Sequence, residues 1–517
     1  MSERQASAGT REVSLAHLTA GMLDLPSDVC VSDVTLDSRR VAPGALFLAC
    51  RGASHHGLDF AGEAIAAGAR AILYEPQGAE AALRAATAAS GARAVLVAGV
   101  PQLARHAGTI ADRFFGAPSQ FLAVAGVTGT NGKTTSAYLL AQALTRLGRT
   151  AGYIGTLGAG LPGEIEPFGL TTADVVTVHR QLAHFRDLGA ECVGMEVSSH
   201  ALAQHRVSAV RFRAAAFTNL TRDHLDFHGS MQAYGAAKMR LFELDLAARI
   251  INVDDAFGLA LARHFEGAPG QLILTTRRVE DAAWSSLRAA RYVRARSVQA
   301  LSGGLRLAIA SSWGEAALEL PLIGDFNADN ALTVLGVLLS QDVPLEQAAA
   351  ALGSCLAPPG RMEKIGPVRG VLAIVDYAHT PDALANALRA ARAHCSGTLR
   401  VVFGCGGDRD PGKRPMMGRT ARELADWITV TDDNPRTEDP RRIVAGILQG
   451  MGPDARVRVE HDRAAAIRQA LAASAAGDVV LIAGKGHENY QLIGAERRAF
   501  SDQAVARDWL EASKGQA

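Results

Sequence analysis

One stretch decides the fold of this chain: Ala123-Val124-Ala125-Gly126-Val127-Thr128-Gly129-Thr130-Asn131-Gly132-Lys133-Thr134-Thr135. The apolar residues at 121–125 predict a buried strand, and apolar residues at helical spacing over 136–147 predict a helix. A glycine-rich turn between strand and helix is typical of a phosphate-binding loop, because its backbone N–H groups converge at a helix N-terminus. Lys133 is then placed to reach the terminal phosphates of a nucleotide, and Thr134 to bind magnesium through its hydroxyl.

The glycine spacing departs from the usual phosphate-loop pattern. That pattern has a glycine five residues before Gly132, where this chain has Val127, with Gly126 and Gly129 on either side. A glycine-rich turn that binds nothing is the simpler alternative. However, Gly-Lys-Thr-Thr would rarely fall at a strand-to-helix junction by chance. We therefore interpret the stretch as a nucleoside-triphosphate site of a variant type.

Length and net charge limit the number of domains and the kinds of partner that the chain can have. At 517 residues the chain is too long for a single core, and about three domains are expected. Lys and Arg total 53 against 52 Asp and Glu, so a net charge of +1 offers no bulk field to attract nucleic acid or a membrane surface. Residues 1–18 lack the apolar core of a signal peptide, and no run approaches the roughly 18 apolar residues of a membrane helix.

The six scattered cysteines have no metal-type spacing and predict reduced thiols rather than a disulfide framework. We therefore expect a cytoplasmic protein that binds no nucleic acid and inserts into no membrane.

Composition and patterning predict three α/β domains, at 1–118, 119–356 and 357–517. The boundaries fall at Phe-Phe-Gly-Ala-Pro-Ser (114–119) and Ala-Pro-Pro-Gly (357–360), because Gly and Pro end helices. Strand and helix patterns alternate after the phosphate loop, as a parallel sheet requires, and alternate again in the third domain. The other predicted strands lie at 34–36, 46–49, 71–74, 94–98, 192–196, 214–217, 371–375, 399–403, 427–431 and 479–483.

Two predicted strands of the central domain end in polar side chains. One ends at Glu196, and the other runs into residues 218–228, a loop dense in metal-capable side chains that includes His224. Ligands of open α/β sheets collect at the carboxyl ends of strands, so we expect Glu196 to face the same crevice as Lys133. Taken alone, Glu196 is as readily a surface or capping residue, and His224 is more readily one.

Magnesium prefers oxygen ligands, waters and phosphates, which favours Thr134 and Glu196 as the core of a metal site. His224 is the less usual member, because imidazole suits softer metals. Lys238, on a predicted helix, is by itself most simply a solvated lysine, since a cation would repel a metal ion.

Polar loops also follow strands of the third predicted domain. Arginine binds a carboxylate in a two-pronged fork, so Arg409 and Arg436 together with Glu488 would fit a small zwitterion. The simpler alternative is that these are ordinary loop residues without a binding function. That alternative is adequate for any one of these loops, and less adequate for several in succession. The loops are Asp-Tyr-Ala-His (376–379), Gly-Cys-Gly-Gly-Asp-Arg-Asp (404–410), Asp-Asp-Asn-Pro-Arg (432–436) and Gly-Lys-Gly-His-Glu (484–488).

In combination these motifs resemble the Mur ligases, ATP-dependent enzymes that add amino acids to the UDP-N-acetylmuramoyl peptide precursor of peptidoglycan. The resemblance rests on residues 126–135, 196–200, 219–228, Lys238 and 376–379, and covers all three predicted domains. It also accounts for the glycine spacing, since Gly-Thr-Asn-Gly-Lys-Thr is the form of the loop that this family has.

Two further motifs indicate a branch of the family. Leu-Asp-Ser-Arg (36–39) with Pro-Gly-Ala-Leu-Phe (43–47) is similar to the UDP-binding domain of the members that add the third amino acid. Asp-Asn-Pro-Arg (433–436) is similar to the signature of the form that adds meso-2,6-diaminopimelate rather than lysine. Diaminopimelate is lysine with one more carboxylate, so Arg436 would bind that carboxylate and repel the lysine side chain.

The resemblance implies a reaction. The substrate UDP-N-acetylmuramoyl-L-alanyl-D-glutamate would attack ATP through its glutamate carboxylate, giving an acyl phosphate and ADP. The amine of diaminopimelate would then displace phosphate and give the UDP-linked tripeptide. Lys133 and Mg²⁺ would absorb the charge developing on the phosphate. The first domain would bind the UDP substrate, the central one ATP and the third the amino acid, and we expect a monomer.

The resemblance also implies the site residues. The catalytic residues would be Lys133, Lys238 and His224, with Lys238 carbamylated by CO₂. Magnesium would lie among Thr134, Glu196, His224 and the carbamylated Lys238. The ATP contacts would be Gly129, Thr130, Asn131, Gly132, Lys133, Thr134, Thr135, Asn327, Arg361 and Asp376. The UDP-substrate contacts would be Leu36, Ser38, Thr171, Thr172, Ser198, Gln204 and Arg206. The diaminopimelate contacts would be Arg409, Asp433, Asn434, Pro435, Arg436, Gly484 and Glu488.

Two other functions remain open at this point. A ligase similar to folylpolyglutamate synthase would share the acyl-phosphate chemistry and a similar loop, but the motifs at 36–39 and 433–436 argue against it. A regulatory ATPase without ligase activity would share only the phosphate loop, and the substrate-type loops of the other domains argue against that.

Overall fold

The computed structural model describes residues 12–24, 29–52, 55–90, 95–278, 286–287, 290–301 and 303–514. Most of the segment tested for a signal peptide, and Ala94 of the strand predicted at 94–98, lie outside the described residues. The chain forms two compact units, the first from 1–133, 148–249 and 268–270, and the second from 134–147, 250–267 and 271–517. The two predicted boundaries between the three domains stay predictions.

The first unit has two sheets and a short strand pair. Its strands are Val13–Ser14, Cys30–Val31, Asp33–Thr35, Ala45–Ala49, Ala71–Tyr74, Leu96–Gly99, Ala123–Thr128, Ala151–Gly155, Gly158–Gly160, Cys192–Glu196 and Phe212–Phe217. Its helices are Leu15–Thr19, Ala61–Ala66, Glu80–Ser90, Leu103–Phe115, Val175–Asp187, Ser199–Ala203, Leu225–His228 and Met231–Met239. Helix Lys133–Arg146 and strand Ala248–Asn252 contribute residues to both units.

The N-terminal sheet is parallel and buried on both faces. Strands Asp33–Thr35, Ala45–Ala49, Ala71–Tyr74 and Leu96–Gly99 pair in that order. Side chains alternate across a strand, so Leu46 and Leu48 enter one core cluster while Phe47 enters the other.

The phosphate-loop strand lies among parallel neighbours. Ala123–Thr128 pairs with Phe212–Phe217 on one side and Cys192–Glu196 on the other, and Cys192–Glu196 pairs with Ala151–Gly155. All of these strands run parallel, so their carboxyl ends meet at one edge of the sheet. The predicted strands at 121–125 and 214–217 are confirmed with shifted bounds.

The second unit contains the remaining elements. Its strands are Gln271–Thr276, Arg291–Leu301, Gly304–Ser311, Gly314–Leu320, Glu363–Val368, Val371–Asp376, Leu399–Phe403, Trp427–Val430, Val457–Val459, Val479–Ala483, Tyr490–Ile493 and Glu496–Ala499. Its helices are Ala256–His264, Phe326–Leu339, Leu345–Gly353, Pro381–Arg392, Lys413–Leu424, Pro440–Leu448, Arg463–Ala472 and Asp502–Lys514.

The prediction of uninterrupted parallel strand–helix alternation is wrong for residues 291–320. There Arg291–Leu301, Gly304–Ser311 and Gly314–Leu320 pair antiparallel through short turns. Such turns leave no room for the crossover helix that parallel pairing needs. The fold is α/β as predicted, with a mixed rather than purely parallel sheet in this part.

The C-terminal sheet has helices on both faces. Val371–Asp376, Val479–Ala483, Leu399–Phe403, Trp427–Val430 and Val457–Val459 are successive parallel neighbours, and Glu363–Val368 is antiparallel at the edge. Leu388 and Ile447 pack on one face, and Ile467 and Leu510 pack on the other. The parallel register places the loops after four of these strands at one edge, as the sequence predicted.

Two further observations concern the described residues as a whole. None of their helices is long and apolar enough to cross a membrane. All six cysteines are free thiols: Cys30, Cys50, Cys192, Cys355, Cys395 and Cys405.

Candidate active site

The phosphate loop of the first unit needs its glycines for measurable reasons. Gly129 has φ +152°, and a Cβ there would lie 1.9 Å from Thr218 Oγ1. Gly132 has φ +84°, in the region that favours glycine. Val127 instead lies within strand Ala123–Thr128 and is buried. The unusual spacing therefore has a structural reason, because position 127 belongs to the strand rather than to the turn.

A second loop holds the phosphate loop in place. Asn219 accepts hydrogen bonds from the N–H of Thr130 at its carbonyl (2.8 Å) and from the N–H of Asn131 at Oδ1 (2.9 Å). Thr218 donates to the carbonyl of Asn131 at 2.6 Å. These contacts connect the end of the strand at residue 217 to the phosphate loop. From the sequence, we expected only that strand ends meet at one edge of the sheet.

Two lysines meet at the same loop carbonyl. Lys133 Nζ donates to the carbonyl oxygens of Gly129 (2.9 Å) and Thr130 (2.8 Å), and Lys238 Nζ donates to Gly129 at 2.7 Å. Lys238 is 1% exposed, and its Nζ lies 4.4 Å from the centroid of the Tyr234 ring. Burial, followed by the positive charge of Lys133, lowers the pKa of Lys238 to about 6. The simple expectation of a solvated lysine is wrong, because this one is enclosed beside the phosphate loop.

Glu196 is fully buried at the end of its strand. Its Oε1 accepts hydrogen bonds from the Tyr153 hydroxyl (2.5 Å) and the Thr156 N–H (2.8 Å), and its Oε2 accepts one from the Thr156 hydroxyl (3.1 Å). A Cβ at Gly155 would lie 2.1 Å from Oε1, so only glycine permits this approach. Three donors therefore fix the orientation of the carboxylate, which suits a ligand more than an ordinary core residue.

His224 lies in a cluster of aromatic and imidazole rings. It has φ +51°, and its ring is 4.7 Å from the ring of His200, edge to face. The ring of His200 also lies 4.3 Å from Phe227 and 5.6 Å from His228. Burial lowers the pKa of His200 and of His228, and the neighbouring imidazoles lower both further. In the part of the chain that the structure describes, no group of three or more His, Cys, Asp or Glu could hold a metal ion by itself.

The chemistry of the donors fits magnesium bound together with a nucleotide. Mg²⁺ is usually held by one or two protein carboxylates, with phosphates and waters as the other ligands. Glu196 is a buried carboxylate of the kind that such a site uses, and a carboxylate has about four lone-pair directions for ligands and hydrogen bonds.

The residues predicted to bind the UDP substrate fall in two places within the first unit. Thr172 donates to the carbonyl of Glu196 (2.9 Å) and accepts from the Ser198 N–H (3.2 Å), and its own carbonyl accepts from Arg206 Nη1 (2.9 Å). Arg206 also donates to the side-chain oxygen of Gln204 at 2.5 Å, and the hydroxyls of Thr171 and Thr156 lie 3.2 Å apart. These predicted contacts are therefore connected to Glu196 by hydrogen bonds through Thr172 and Thr156.

The other two predicted UDP-substrate contacts lie in the N-terminal segment. Leu36 lines a cavity of about 220 Å³ together with Arg40 and Arg180. Ser38 donates to Glu63 at 3.2 Å. Arg180 is held by Asp33 at 2.8 Å, which places a cation at the cavity wall.

In the second unit, the predicted nucleotide contacts are already engaged with the protein. Asn327 is 2% exposed, donates to the carbonyl of Ile323 (2.8 Å) and accepts from Asn330 (2.8 Å). Asp376 accepts from the Met362 N–H at 2.8 Å, and the guanidinium of Arg361 lies 5.0 Å from the Tyr377 ring centroid. Burial raises the pKa of Asp376, and the positive charge of Arg361 opposes that shift.

The structure brings together the residues predicted to bind the amino acid. Asn434 donates to Glu488 Oε2 at 2.8 Å, and a Cβ at Gly484 would lie 2.6 Å from Asp433 Oδ2. Lys485, fully buried, donates to Asn434 Oδ1 and Glu488 Oε2, both at 3.0 Å. Two loops that follow separate strands therefore form one cluster of acidic and amide groups.

Arg436 lies at the border of this cluster. Its φ is +52°, and its Nη1 donates to the carbonyl of Gly407 at 2.7 Å. A Cβ at Gly406 would lie 2.9 Å from Arg436 Nη1 and 3.7 Å from Arg409 Cγ, so glycine lets both arginines approach the same point. Pro435 is buried beside them, and its carbonyl would lie 2.0 Å from a Cβ at Gly407. Two cations and two carboxylates are the groups that a zwitterionic amino acid requires.

Comparison with known proteins identifies the family. Models of the Mur ligase family catalytic domain, the Mur ligase middle domain and the Mur ligase glutamate ligase domain match residues 31–115, 127–338 and 360–486. The UDP-N-acetylmuramoyl-L-alanyl-D-glutamate–2,6-diaminopimelate ligase of Xanthomonas campestris pv. campestris (strain 8004) is 48% identical over 506 residues, which are 97% of this chain and 98% of the relative. The chain belongs to the Mur ligase family.

Solved structures agree with this assignment. A structure of a UDP-N-acetylmuramoyl-L-alanyl-D-glutamate–2,6-diaminopimelate ligase is 32% identical with a TM-score of 0.71, covering 98% of this chain and 100% of that one. Folylpolyglutamate synthase of Mycobacterium tuberculosis, complexed with ADP and AMPPCP, is 18% identical with a TM-score of 0.58, covering 74% of this chain and 92% of that one. The second likeness shows the fold alone.

Sequence reasoning missed several residues of this Mur ligase site. Tyr153 and Thr156 orient Glu196, Tyr234 packs on Lys238, and Lys485 joins Asn434 to Glu488. Only Lys485 had a sequence signal, because it stands inside the Gly-Lys-Gly-His-Glu loop that was already suspected. A buried hydroxyl donor such as Tyr153 leaves no pattern in the sequence.

Proposed function

We propose that this Mur ligase joins meso-2,6-diaminopimelate to UDP-N-acetylmuramoyl-L-alanyl-D-glutamate at the expense of ATP. The observation that carries the proposal is the cluster of Asp433, Asn434, Glu488 and Arg436 at one sheet edge of the second unit. It offers carboxylates for an ammonium group and arginines for a carboxylate. The activity in the names of the relatives at 45–48% identity agrees with it.

The two halves of the reaction use different groups of this chain. In the first, a carboxylate oxygen of the substrate attacks the γ-phosphorus of ATP, the bond to the β–γ bridging oxygen breaks, and an acyl phosphate and ADP result. In the second, an uncharged amine of diaminopimelate attacks the acyl carbon, phosphate leaves, and the amine loses a proton. Arg206 and Thr172 would orient the UDP substrate, and Glu488 and Arg436 the amino acid.

Lys133 has its role in the first half-reaction. In this structure its ammonium donates hydrogen bonds to the carbonyls of Gly129 and Thr130. With ATP bound, the same ammonium would face phosphate oxygens, where positive charge stabilises the transition state. Asn327, Arg361 and Asp376 are the proposed nucleotide contacts of the second unit.

Magnesium is the proposed metal, with Glu196, Thr134 and His224 as the residues that would hold it. Bound magnesium neutralises phosphate charge and polarises the transferred phosphoryl group. The chain's own contribution is the orientation of Glu196 by Tyr153 and Thr156.

We further propose that Lys238 is carbamylated. An amine must be uncharged to attack CO₂, and the reaction R–NH₂ + CO₂ gives R–NH–COO⁻ and one proton. Burial beside Lys133 favours the uncharged amine, and the product carboxylate would turn a cation into an oxygen donor next to the phosphate loop. For the protein as a whole, we propose a cytoplasmic, monomeric enzyme that binds only small molecules.

Phosphate release decides between the ligase and a simple ATPase. With ATP and magnesium, release should require both the UDP-linked dipeptide and diaminopimelate, and release without them would favour the ATPase. Arg436→Ala should raise the KM for diaminopimelate by roughly ten- to hundredfold, because a charged hydrogen-bond partner is lost. A preference of the unmutated enzyme for lysine would contradict the role of Arg436.

A further inference from the structure

Lys485 has an unusual place among the charged residues of the second unit. It follows strand Val479–Ala483 by two positions and is 0% exposed. Its Nζ donates to Glu488 Oε2 and to Asn434 Oδ1, each at 3.0 Å, and lies 5.5 Å from the Tyr490 ring centroid. A buried ammonium is retained only where its partners compensate for lost hydration. Here both partners are residues proposed to contact the amino acid.

The hydrogen bonds around Lys485 leave one oxygen of Glu488 available. Asn434 Nδ2 donates to Glu488 Oε2 at 2.8 Å, so that oxygen receives two donors. Asn434 Oδ1 also accepts from the Leu492 N–H at 3.0 Å. Glu488 Oε1 accepts no hydrogen bond from any residue that the structure describes. Lys485 and Asn434 thus hold Glu488 Oε2 in place and leave Oε1 available to a ligand.

A second carboxylate lies in the same loop cluster. Asp433 precedes Asn434 in the chain, and its Oδ2 would be 2.6 Å from a Cβ at Gly484, the residue before Lys485. Its backbone carbonyl is held by Gln491 Nε2 at 2.8 Å, while within the described chain its carboxylate accepts no hydrogen bond. Two carboxylates with free oxygens repel each other unless a cation lies between or behind them. Lys485 is a buried cation bonded directly to Glu488, and the buried Arg463 also interacts electrostatically with both carboxylates.

We propose that Lys485 is a positioning residue of the amino-acid site, which acts through Glu488 and Asn434 to aim Glu488 Oε1 at an ammonium group of the substrate. It does not touch the substrate itself, because it is 0% exposed and donates to Glu488 and Asn434. The inference rests on the proposed function. The alternative is a purely structural role, in which Lys485 connects the hairpin at 490–499 to the sheet. In that role it would stabilise the fold without acting on amino-acid binding.

Steady-state kinetics separates these roles. Lys485→Met keeps the length and apolar character of the stem and removes the charge, and Lys485→Gln, which keeps an N–H donor, replaces it if the first variant does not fold. The KM for diaminopimelate should rise roughly ten- to hundredfold, because a hydrogen bond to a charged group is lost. The KM values for ATP and the UDP substrate should stay within about twofold.

A double-mutant cycle with Glu488→Gln tests whether Lys485 acts through Glu488. In the Glu488→Gln background the loss of Lys485 should change the KM for diaminopimelate by less than about threefold. Lys364→Met is the matched control, since Lys364 is a half-buried lysine of the same unit that donates to the carbonyl of Gly303. Its removal should leave that KM unchanged.

The inference is overturned if Lys485→Met leaves the KM for diaminopimelate unchanged, if the rise is equal in both backgrounds, or if all three KM values rise together. Failure of the proposed function looks different. There the unmutated chain would form no product with diaminopimelate, whatever the variants did.

Discussion

Lys238 and Lys133 share one hydrogen-bond acceptor, the carbonyl oxygen of Gly129, at 2.7 and 2.9 Å. Two ammonium groups at one buried carbonyl repel each other, so the more enclosed lysine loses its proton first. In the proposed mechanism, the ammonium of Lys133 faces phosphate and the uncharged amine of Lys238 reacts with CO₂. This division is the basis of the first two predictions.

The activity of the enzyme should depend on dissolved CO₂. Depletion of CO₂ should lower kcat, and added bicarbonate should restore it, because the proposed carbamate on Lys238 supplies an oxygen donor that the free amine lacks. Lys238→Arg should lose roughly a hundredfold or more in kcat and gain nothing from bicarbonate, while Lys364→Met should behave like the unmutated chain. Isotopically labelled bicarbonate followed by NMR checks the carbamate directly. Full activity without CO₂ would contradict carbamylation.

The stability cost of burying Lys238 should fall as pH rises. Its pKa is 10.5 as an ordinary lysine and about 6 in the folded chain, so between these values only the unfolded chain binds the proton. Stability then increases with pH over that window, and below it the full cost of a buried charge is present. In CO₂-depleted buffer, Lys238→Met should be more stable than the unmutated chain near pH 6, by a margin that shrinks toward about pH 9. Thermal unfolding measures the margin, and a constant margin would refute the assignment.

Tyr153 should matter through Glu196 rather than through packing. Tyr153→Phe removes only the hydroxyl that donates to Glu196 Oε1, so kcat/KM should drop roughly tenfold to a hundredfold and more magnesium should be needed for half-maximal activity. Tyr74→Phe, in the N-terminal sheet, is the control and should change neither value. If the magnesium requirement of Tyr153→Phe were unaltered, Glu196 would have no metal-binding role.

The pair of Arg463 and Asp502 should be the ion pair that matters most for stability in the second unit. Both side chains are 0% exposed, and Arg463 Nε and Nη2 donate to the carboxylate at 2.7 and 2.8 Å. Arg463→Met should cost roughly 3–5 kcal/mol, because it leaves a buried carboxylate unpaired, and the double variant with Asp502→Leu should recover most of the loss.

The exposed pair of Arg498 and Glu496 supplies the control for this comparison. Arg498→Ala should leave the free energy of unfolding nearly unchanged, since solvent screens exposed pairs. Chemical denaturation measures all of these variants. Equal losses at the two pairs would show that burial does not set their strength.

Periodicity predicted the parallel part of the fold well. The strands Leu399–Phe403 and Val479–Ala483 agree with their predicted bounds, because buried parallel strands are continuous apolar runs between polar loops. The antiparallel strands at 291–320 were missed, since their half-exposed faces mix charged and apolar residues and resemble loop sequence.

The candidate site also contains residues that the sequence predicted and residues that it did not. Glycines, Lys133 and the arginines of the third predicted domain lie in short motifs whose chemistry follows from local spacing. The donors to Glu196 and the burial of Lys238 depend on contacts between residues far apart in the chain, such as Lys238 with Gly129. Single-sequence patterns do not encode such pairs, and for this reason Lys238, taken by itself without the family resemblance, was interpreted as an ordinary solvated lysine.

The most direct test of the central claim is a competition assay read by mass. The purified chain receives ATP, magnesium, the UDP-linked dipeptide and equal concentrations of meso-diaminopimelate and lysine. We predict a UDP-linked tripeptide that carries diaminopimelate, with ADP and phosphate formed in equal amounts. A product that carries lysine, or ATP hydrolysis without any tripeptide, would contradict the account.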